Sequence, residues 1–344
     1  MRFIFITDIF KNGIFMIDYY NLSKYNYNDE LPANCELYRC LLPLIHCVAP
    51  TDMPVLIIGE VGTQKPLIAK VIHNNSRRKY GRLLVVDCKN PNINALEIEL
   101  FGQEKSKTNY SKMQAIGKLE QANGGSILLN EIGSIPNIIQ ARLLKVIEDQ
   151  EIYRVGGTNV VPIDAHIIAT TSEELEYAIK AGSFREDLFY RIAVFPILIP
   201  PLRTSRNDIK ILAYHFLKTT TNRTNKTITS ISDDAMKLIM DYDFPGNIRE
   251  LEEVIEYAAK IEKSDKLRSE SLPKYIRSGY KVNPPFQPGD LKDKIIALEE
   301  TEKQALINAM RITGNNVRMV AKALGINRAT VYRKLEKYNL LTNQ

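Results

Sequence analysis

Short apolar runs alternate with helical stretches between about residues 34 and 204, and this alternation restricts the fold more than any other feature of the chain. The segments PLIAKVIHNN and IIQARLLKVIED have helical periodicity. The apolar runs between such helices are rich in residues that favour β-strands, and they are too short for helices: VLIIG (55–59), RLLVVD (82–87), SILLN (126–130) and HIIATT (166–171). Buried strands that alternate with helices form a parallel sheet covered on both faces. We therefore predict an α/β sandwich.

The strand pattern stops after PPLR (200–203), and three helical segments follow up to about residue 264. The next stretch is polar and contains Pro284, Pro285, Pro288 and Gly289, a composition typical of a linker. The chain then becomes helical again. We divide it into an N-terminal extension (1–33), an α/β subdomain (34–204), an α-helical lid (205–264), a linker (265–292) and a C-terminal helical domain (293–344).

Length and composition are typical of a multidomain globular protein. A chain of 344 residues suggests two or three domains. No stretch approaches the roughly 20 apolar residues that span a bilayer, and the apolar N-terminus is interrupted by charges and has no cleavage-site pattern. We expect a cytoplasmic protein with no membrane partner. The four cysteines match no zinc-ligand spacing, so we expect free thiols and no metal on them: Cys35, Cys40, Cys47 and Cys88.

The segment from Gly59 to Pro66, GEVGTQKP, follows a strand and opens a helix. In that position, backbone N–H groups and a lysine can bind phosphate. Gln64 stands where this pattern has its second glycine. A residue with a Cβ atom adopts the left-handed backbone conformation at a cost of about 1–2 kcal/mol. Pro66 removes one N–H donor, although proline is tolerated where a helix begins. The segment is therefore an imperfect phosphate-binding loop.

Further segments, in order, resemble the sigma-54-dependent activators, also called bacterial enhancer-binding proteins. The resemblance runs from about Cys35 to Ile261 and resumes at the C-terminus. It rests on GEVGTQKP and on five more segments: ELFGQEK (99–105), NGGSILLNEIGSIP (123–136), RLLKVIEDQEIYRVGG (142–157), FREDLFYRI (184–192) and PGNIRELEEVIEYA (245–258). It implies an AAA+ three-layer sandwich with a parallel sheet, a small α-helical lid, ATP and Mg²⁺ as cofactors, and a ring-type homo- or hetero-oligomer.

The resemblance also assigns roles to individual residues. It implies a nucleotide site formed by Gly59, Glu60, Gly62, Thr63, Lys65, Asn130 and Arg249, of which Arg249 matches the second sensor. Glu131 matches the residue that polarises the attacking water, and Arg185 and Arg191 match the fingers that reach a neighbour's γ-phosphate. For each arginine the alternative is a solvated or salt-bridged surface residue.

Three more departures fall on chemical positions of the family. Asn130 replaces the aspartate that holds Mg²⁺ through water, and an amide brings no charge to the ion. Asp87 stands where relatives carry an asparagine that restrains the catalytic glutamate, and Ser172 replaces the first-sensor asparagine. The loop 106–111, SKTNYS, shares no residue with the GAFTGA loop that contacts sigma-54; the alternative is a solvent-exposed loop without a role.

The C-terminal segment 298–344 carries eight Lys/Arg against four Asp/Glu and so supplies most of the net charge of +6. Ala321, Gly325 and Val331 have helix-turn-helix spacing, and Asn327 can cap the second helix. Donors for phosphates and base edges are Asn327, Arg328, Thr330, Tyr332, Arg333 and Lys334. AKALGINRATVYRKL resembles the Fis-type domain of the same family. A helical hairpin with a basic face is the alternative.

Three functions remain open from the sequence. The first is a DNA-binding transcription regulator whose AAA+ core is impaired in ATP hydrolysis and in sigma-54 contact. The second is a working ATP-dependent activator of sigma-54 RNA polymerase promoters. The third is an architectural DNA-binding protein that needs no nucleotide. The partners implied are DNA and either sigma-54 RNA polymerase or an intact paralogue.

Overall fold

The computed structural model describes residues 35–104, 114–224, 226–278, 310, 317, 320–321 and 328–338. These residues belong to two compact units, 1–281 and 282–344. The predicted N-terminal extension and the loop 106–111 lie outside the described residues. No helix in the described ranges is long and apolar enough to cross a bilayer. All four cysteines carry free thiols, two of them buried and two exposed.

The α/β subdomain is built around a parallel sheet. Its strands lie in the order β2 (Leu83–Asp87), β5 (Ser126–Asn130), β8 (His166–Thr171), β1 (Val55–Ile58) and β9 (Phe195–Leu198). Two-stranded antiparallel pairs, β3 with β4 and β6 with β7, lie outside it. In chain order the elements are α1 (Glu36–Val48), β1 (Val55–Ile58), α2 (Lys65–Asn74), β2 (Leu83–Asp87), α3 (Ile93–Phe101), β3 (Gly102–Gln103), β4 (Ala115–Ile116), α4 (Lys118–Gln121), β5 (Ser126–Asn130), α5 (Asn137–Asp149), β6 (Glu151–Tyr153), β7 (Val160–Pro162), β8 (His166–Thr171), α6 (Leu175–Lys180), α7 (Glu186–Ile192) and β9 (Phe195–Leu198).

The four runs predicted as strands are β1, β2, β5 and β8, which confirms the α/β prediction. Successive side chains of a strand point to opposite faces. Val55 and Ile57 belong to a core shared with α1, α2 and the lid, whereas Leu56 belongs to a core shared with α3, α5, α6 and α7. The sheet is therefore the middle of three layers.

The two edges of the sheet differ from what the sequence suggested. Strand β9 was not predicted; its Pro196 removes one N–H donor, which an edge strand tolerates. At the opposite edge, β2 was expected to be buried, but Val85 is 45% exposed. A continuous apolar run does not show which strand has a neighbour on only one side.

The lid consists of α8 (Arg206–Thr224), β10 (Ser230–Ile231), α9 (Asp233–Asp241), α10 (Asn247–Ile261), β11 (Lys266–Leu267) and α11 (Lys274–Arg277). It extends beyond residue 264 into the stretch that we assigned to a linker. Strand β11 pairs with β10, and Leu267, Leu272 and Ile276 are buried in the lid core. The strand and the helix that carry Leu267 and Ile276 have only two and four residues, too few to give a periodic pattern in the sequence. Residues 279–292 lie outside the described part.

In the C-terminal unit the structure describes α12 (Arg328–Lys337) and four residues before it. Val320, Ala321, Val331 and Leu335 form a buried cluster. Ala321 and Val331 are two of the three residues on which we based the helix-turn-helix prediction, and they lie in one small core as that motif requires. The third, Gly325, lies outside the described residues.

A buried carboxylate joins the lid to the first helix of the chain. Asp208, at the start of α8, is fully buried. Its two oxygens accept hydrogen bonds from the backbone N–H groups of Glu36 and Leu37, each at 2.8 Å. Its Oδ2 atom also accepts from Ser205 Oγ at 2.7 Å. An aspartate distant in sequence thus satisfies donors that the N-terminus of α1 would otherwise leave unpaired.

Replacing Asp208 with alanine should lower the free energy of unfolding by roughly 2–4 kcal/mol, because buried donors lose a charged acceptor. Urea denaturation followed by circular dichroism would measure the loss. Asp241→Ala, an exposed position at the end of α9, is the matched control and should change stability by less than about 0.5 kcal/mol. Equal stability of the two variants would contradict the role given to Asp208.

Candidate functional site

The phosphate loop follows β1, a strand inside the sheet, and leads into α2. Strands β5 and β8 end at the same edge, because all the strands are parallel. Their ends bring Asn130, Glu131 and Ser172 towards the loop. The Gly59 N–H donates to the Thr171 carbonyl at 3.2 Å, which anchors the loop to the end of β8. Ligands of open α/β sheets bind at this edge.

Gln64 adopts the left-handed conformation that its position was predicted to need, with φ 57° and ψ 38°. The side chain is held away from the loop backbone by a contact with α1. Its Oε1 atom accepts a hydrogen bond from Tyr38 Oη at 3.2 Å. The cost of the left-handed backbone at Gln64 is therefore already part of the folded state. What a ligand meets in addition is the volume of the Gln64 side chain.

Several N–H groups of the loop remain available to a ligand. Among the described residues none accepts a hydrogen bond from the N–H groups of Gly62, Gln64 or Lys65. Pro66, the second residue of α2, has no N–H to offer, and Leu67 donates to the Gln64 carbonyl at 2.9 Å. The loop keeps donors for an anion at a helix N-terminus, but fewer than a loop without proline.

The lysine of the loop is buried and paired. Lys65 is 3% exposed, and its Nζ atom donates to the carbonyls of Gly59 at 2.8 Å and Glu60 at 3.2 Å. The same atom lies 3.0 Å from Glu131 Oε1. Burial lowers the pKa of Lys65, and the ion pair with Glu131 opposes this change.

Glu131 is held from several sides. Its Oε2 atom accepts from the Ser172 N–H at 3.0 Å and from Ser172 Oγ at 2.5 Å, and it lies 3.7 Å from Lys89 Nζ. Burial by itself raises the pKa of Glu131, but the hydrogen bonds from Ser172 and Lys65 and the charges of Lys65 and Lys89 hold the pKa below its ordinary value. Glu131 is therefore an anion near neutral pH.

The partners of Glu131 differ from those that the resemblance suggested. Asp87 was placed where relatives restrain the glutamate, yet it is exposed and its Oδ1 atom accepts from the Lys89 N–H at 3.1 Å. Ser172 restrains Glu131 instead. Lys89 was not identified from the sequence, because no pattern distinguishes it from other surface lysines.

Asn130 is also engaged by a neighbouring strand. Its Oδ1 atom accepts a hydrogen bond from Thr170 Oγ1 at 2.9 Å. Thr63, another residue of the implied nucleotide site, donates its hydroxyl to the Glu60 carbonyl at 2.8 Å. A magnesium ion prefers carboxylate oxygens, and the carboxylate of Glu131 is already paired with two ammonium groups. Within the described ranges, the groups nearest the loop include backbone N–H groups and the ammonium groups of Lys65 and Lys89, which are ordinary ligands of phosphate oxygens.

The lid contacts the loop directly through the start of α10. A Cβ atom added to Gly62, whose φ is +82°, would lie 1.9 Å from the Gly246 carbonyl oxygen. Asn247 donates to the Val61 carbonyl at 2.9 Å and to Glu60 Oε2 at 3.1 Å. Glu60 also accepts two hydrogen bonds from Arg203, at 2.7 and 2.5 Å. Asn247 and Arg203 were not predicted as site residues, although both lie in segments that the sequence singled out.

Arg249 reaches the loop through its backbone. Its N–H donates to the Gly62 carbonyl at 3.1 Å, whereas its guanidinium pairs with Glu253 at 3.2 Å and is 75% exposed. The two predicted finger residues lie elsewhere on the surface. Arg185 pairs with Asp187, and Arg191 pairs with Glu148 at 2.9 Å. The structure thus brings together the loop, Asn130 and Glu131, and leaves all three arginine side chains outside this cluster.

On α12, the predicted DNA contacts lie along one short helix. Arg328, Tyr332 and Arg333 are exposed, and Thr330 and Lys334 are partly buried. Asn327 lies outside the described residues. Because Val331 and Leu335 are fully buried, Arg333, two residues from each of them, occupies the opposite side of the helix, whereas Arg328 begins the helix close to the buried side.

Three family models match consecutive parts of the chain. Residues 33–198 match the sigma-54 interaction domain, residues 203–287 the AAA+ ATPase lid domain, and residues 297–338 the Fis family of bacterial regulatory proteins. The second match includes the residues beyond 264 that pack into the lid. The three matches agree with the segments that carried the resemblance.

Individual relatives give the same result. The transcriptional regulatory protein ZraR of Klebsiella oxytoca is 39% identical over 299 residues, which cover 87% of this chain and 67% of ZraR. The regulatory protein AtoC of Escherichia coli (strain K12) is 39% identical over 298 residues, 85% of this chain and 64% of AtoC. This chain therefore spans about two thirds of the length of these relatives.

A solved structure supports the fold. NtrX from Brucella abortus, crystallised in complex with ATP, aligns with a TM-score of 0.68 and 32% identity over 90% of this chain and 69% of NtrX. The central sheet, the lid helices and α12 lie within the residues that the three family models match. The chain belongs to the family of sigma-54-dependent transcriptional activators, with an AAA+ domain, its α-helical lid and a Fis-type DNA-binding helix-turn-helix domain.

Proposed function

We propose that this chain is a DNA-binding transcription regulator that hydrolyses ATP poorly or not at all and does not open sigma-54 promoters by itself. One observation carries the proposal. Where the family holds its metal ion, this chain has the neutral amide of Asn130, which accepts a hydrogen bond from Thr170. The adjacent carboxylate, Glu131, is paired with Lys65 and Lys89.

The phosphate loop supports a weakened nucleotide site rather than an absent one. Lys65 and the free N–H groups of Gly62 and Gln64 fit phosphate oxygens, and the relative NtrX was crystallised with ATP. Pro66 removes one donor, and one hydrogen bond to a charged group is worth about 1.5–3 kcal/mol. We therefore expect nucleotide to bind here without being turned over efficiently.

The segment 106–111 supports the second half of the proposal. Its residues, SKTNYS, contain neither the glycines nor the Phe-Thr pair of the family's sigma-54 contact. Any motion driven by ATP would reach the polymerase through this segment. The chain would then act as a scaffold, as a repressor or as the partner of an intact paralogue. Because its proposed partner is bacterial DNA, we place the protein in the cytoplasm.

A working ATP-dependent activator is the second candidate, and retained residues favour it. Glu131 keeps the chemistry that polarises water, and it is ionised near neutral pH because Ser172 and Lys65 stabilise its anion. Arg185 and Arg191 keep exposed guanidinium groups that can reach a neighbouring subunit. ATP turnover separates the two candidates.

A steady-state ATPase assay should show turnover near background, because Asn130 brings no charge to the metal and Glu131 is paired with Lys65 and Lys89. The triple variant Gln64→Gly, Pro66→Glu and Asn130→Asp should raise turnover without restoring promoter opening. Adding Glu131→Gln to that triple variant should return turnover to background, which controls for contaminating ATPases. Turnover by the unmodified chain at rates usual for such enzymes, or promoter opening by the chain alone, would support the activator instead.

We propose that the C-terminal unit binds a specific DNA site with two-fold symmetry, since such domains usually act as dimers. Replacing Arg328 or Arg333 with alanine should weaken binding by about 1–3 kcal/mol if the side chain contacts a base. Electrophoretic mobility shift at fixed salt would measure this, with Lys237→Ala on the lid as the control. A chain ending near residue 290 that shifts the same DNA equally well would contradict the assignment.

We propose a ring-type homo- or hetero-oligomer, because Arg185 and Arg191 have a chemical role only beside a neighbour's nucleotide. Light scattering at high concentration, alone and with an intact relative, should detect species larger than a dimer. Arg185→Glu should reduce their size, whereas Arg277→Glu, an exposed lid position, should not. A protein that stays monomeric under both conditions would show that the ring interface has been lost.

A further inference from the structure

Lys89 lies beside the carboxylate that follows Asn130, and the function proposed above uses it only as a partner of Glu131. It comes two residues after the end of β2, and its side chain is 48% exposed. Its Nζ atom lies 3.7 Å from Glu131 Oε2, while Lys65 Nζ lies 3.0 Å from Glu131 Oε1. Two ammonium groups therefore share the one carboxylate of Glu131.

The same position is unfavourable for a divalent cation. Asn130 offers a neutral oxygen that is already hydrogen-bonded to Thr170, and Asp87 accepts from the Lys89 N–H. A cation near Glu131 would also be repelled by the ammonium groups of Lys65 and Lys89, which lie on both oxygens of its carboxylate. In a partly buried site this repulsion is screened less than in water. The donor set therefore disagrees with the magnesium ion that the family implies.

The charges and donors that remain suit a polyphosphate. Lys65 Nζ already donates to the Gly59 and Glu60 carbonyls and pairs with Glu131, so it supplies charge here rather than an unused donor. Lys89 and, in the loop, the N–H groups of Gly62 and Gln64 remain, and the described residues provide no acceptor for these two N–H groups. Ammonium groups and backbone N–H groups at a helix N-terminus are ordinary ligands of phosphate oxygens. An ammonium group can also neutralise phosphate charge without the rigid octahedral oxygen shell that magnesium requires.

We propose that this site binds ATP or ADP without a divalent cation, and that Lys89 supplies the positive charge that the metal supplies elsewhere in the family. This inference rests on the proposed function, because a site that needs no metal can hold nucleotide without turning it over. Lys89 is then a binding residue specific to this arrangement of charges. Nucleotide would serve as a structural ligand of the phosphate loop and of the lid that contacts it.

Calorimetric titration of the full chain with ATP, and separately with ADP, tests the inference in EDTA and in excess Mg²⁺. We expect binding in EDTA to be at least as tight as binding in Mg²⁺. Lys89→Ala should weaken binding in EDTA by roughly ten- to a hundredfold. Lys89→Arg keeps the charge and should retain most of the affinity. Lys237→Ala, on the exposed face of α9, is the control for removing a surface lysine.

A reciprocal variant makes the result sharper. Asn130→Asp restores a carboxylate, so binding by that variant should become tighter in Mg²⁺ than in EDTA. Thermal unfolding without nucleotide should give the same midpoint for the Lys89 variants and the unmodified chain, which shows that they fold.

Three outcomes would overturn the inference. If nucleotide binds only with Mg²⁺ and is not hydrolysed, the inference fails and the proposed function stands. The same holds if nucleotide binds under neither condition. Binding that requires Mg²⁺ and is followed by rapid turnover would remove both the inference and the proposed function.

Discussion

The close approach of the lid to the phosphate loop is the constraint on which the rest of the structure depends. Gly62 lies so near Gly246 that no side chain fits between them. Asn247 and Arg203 then fix Glu60 from the lid side. Because the loop sits at the end of the interior strand β1, its shape is set jointly by the sheet and by the helices of the lid. The loop is therefore in contact with both the sheet and the lid.

The distribution of charge at the carboxyl edge of the sheet follows from that geometry. Parallel strands end at one edge, so residues distant in sequence meet around Glu131. In this partly buried place one carboxylate binds two ammonium groups, Lys65 and Lys89, and a serine hydroxyl. With Asn130 as a neutral neighbour, the two ammonium groups outnumber the one carboxylate that they contact. Such a site suits the anionic part of a nucleotide better than the metal that usually accompanies it.

Other functional regions are physically independent of this balance. Arg185 and Arg191 lie on the surface in exposed ion pairs, which contribute little to stability and are easily exchanged for other partners. The C-terminal unit has a small core of its own around Val331 and Leu335. Substitutions at the phosphate loop can therefore change nucleotide chemistry without affecting the surfaces proposed for assembly and for DNA. This independence makes a regulator with impaired hydrolysis physically reasonable.

The sequence by itself determined the strands β1, β2, β5 and β8 and the principal helices, because these depend on local periodicity. It also determined the family and the identity of the phosphate loop, because these depend on motifs that are contiguous in the chain. Only the tertiary structure showed the edge strand β9, the capping of α1 by Asp208, the restraint of Glu131 by Ser172 and the position of Lys89. Each of these is a contact between residues far apart in sequence. The energies of these contacts depend on burial and on distance. Both result from tertiary packing and cannot be inferred from a local sequence pattern.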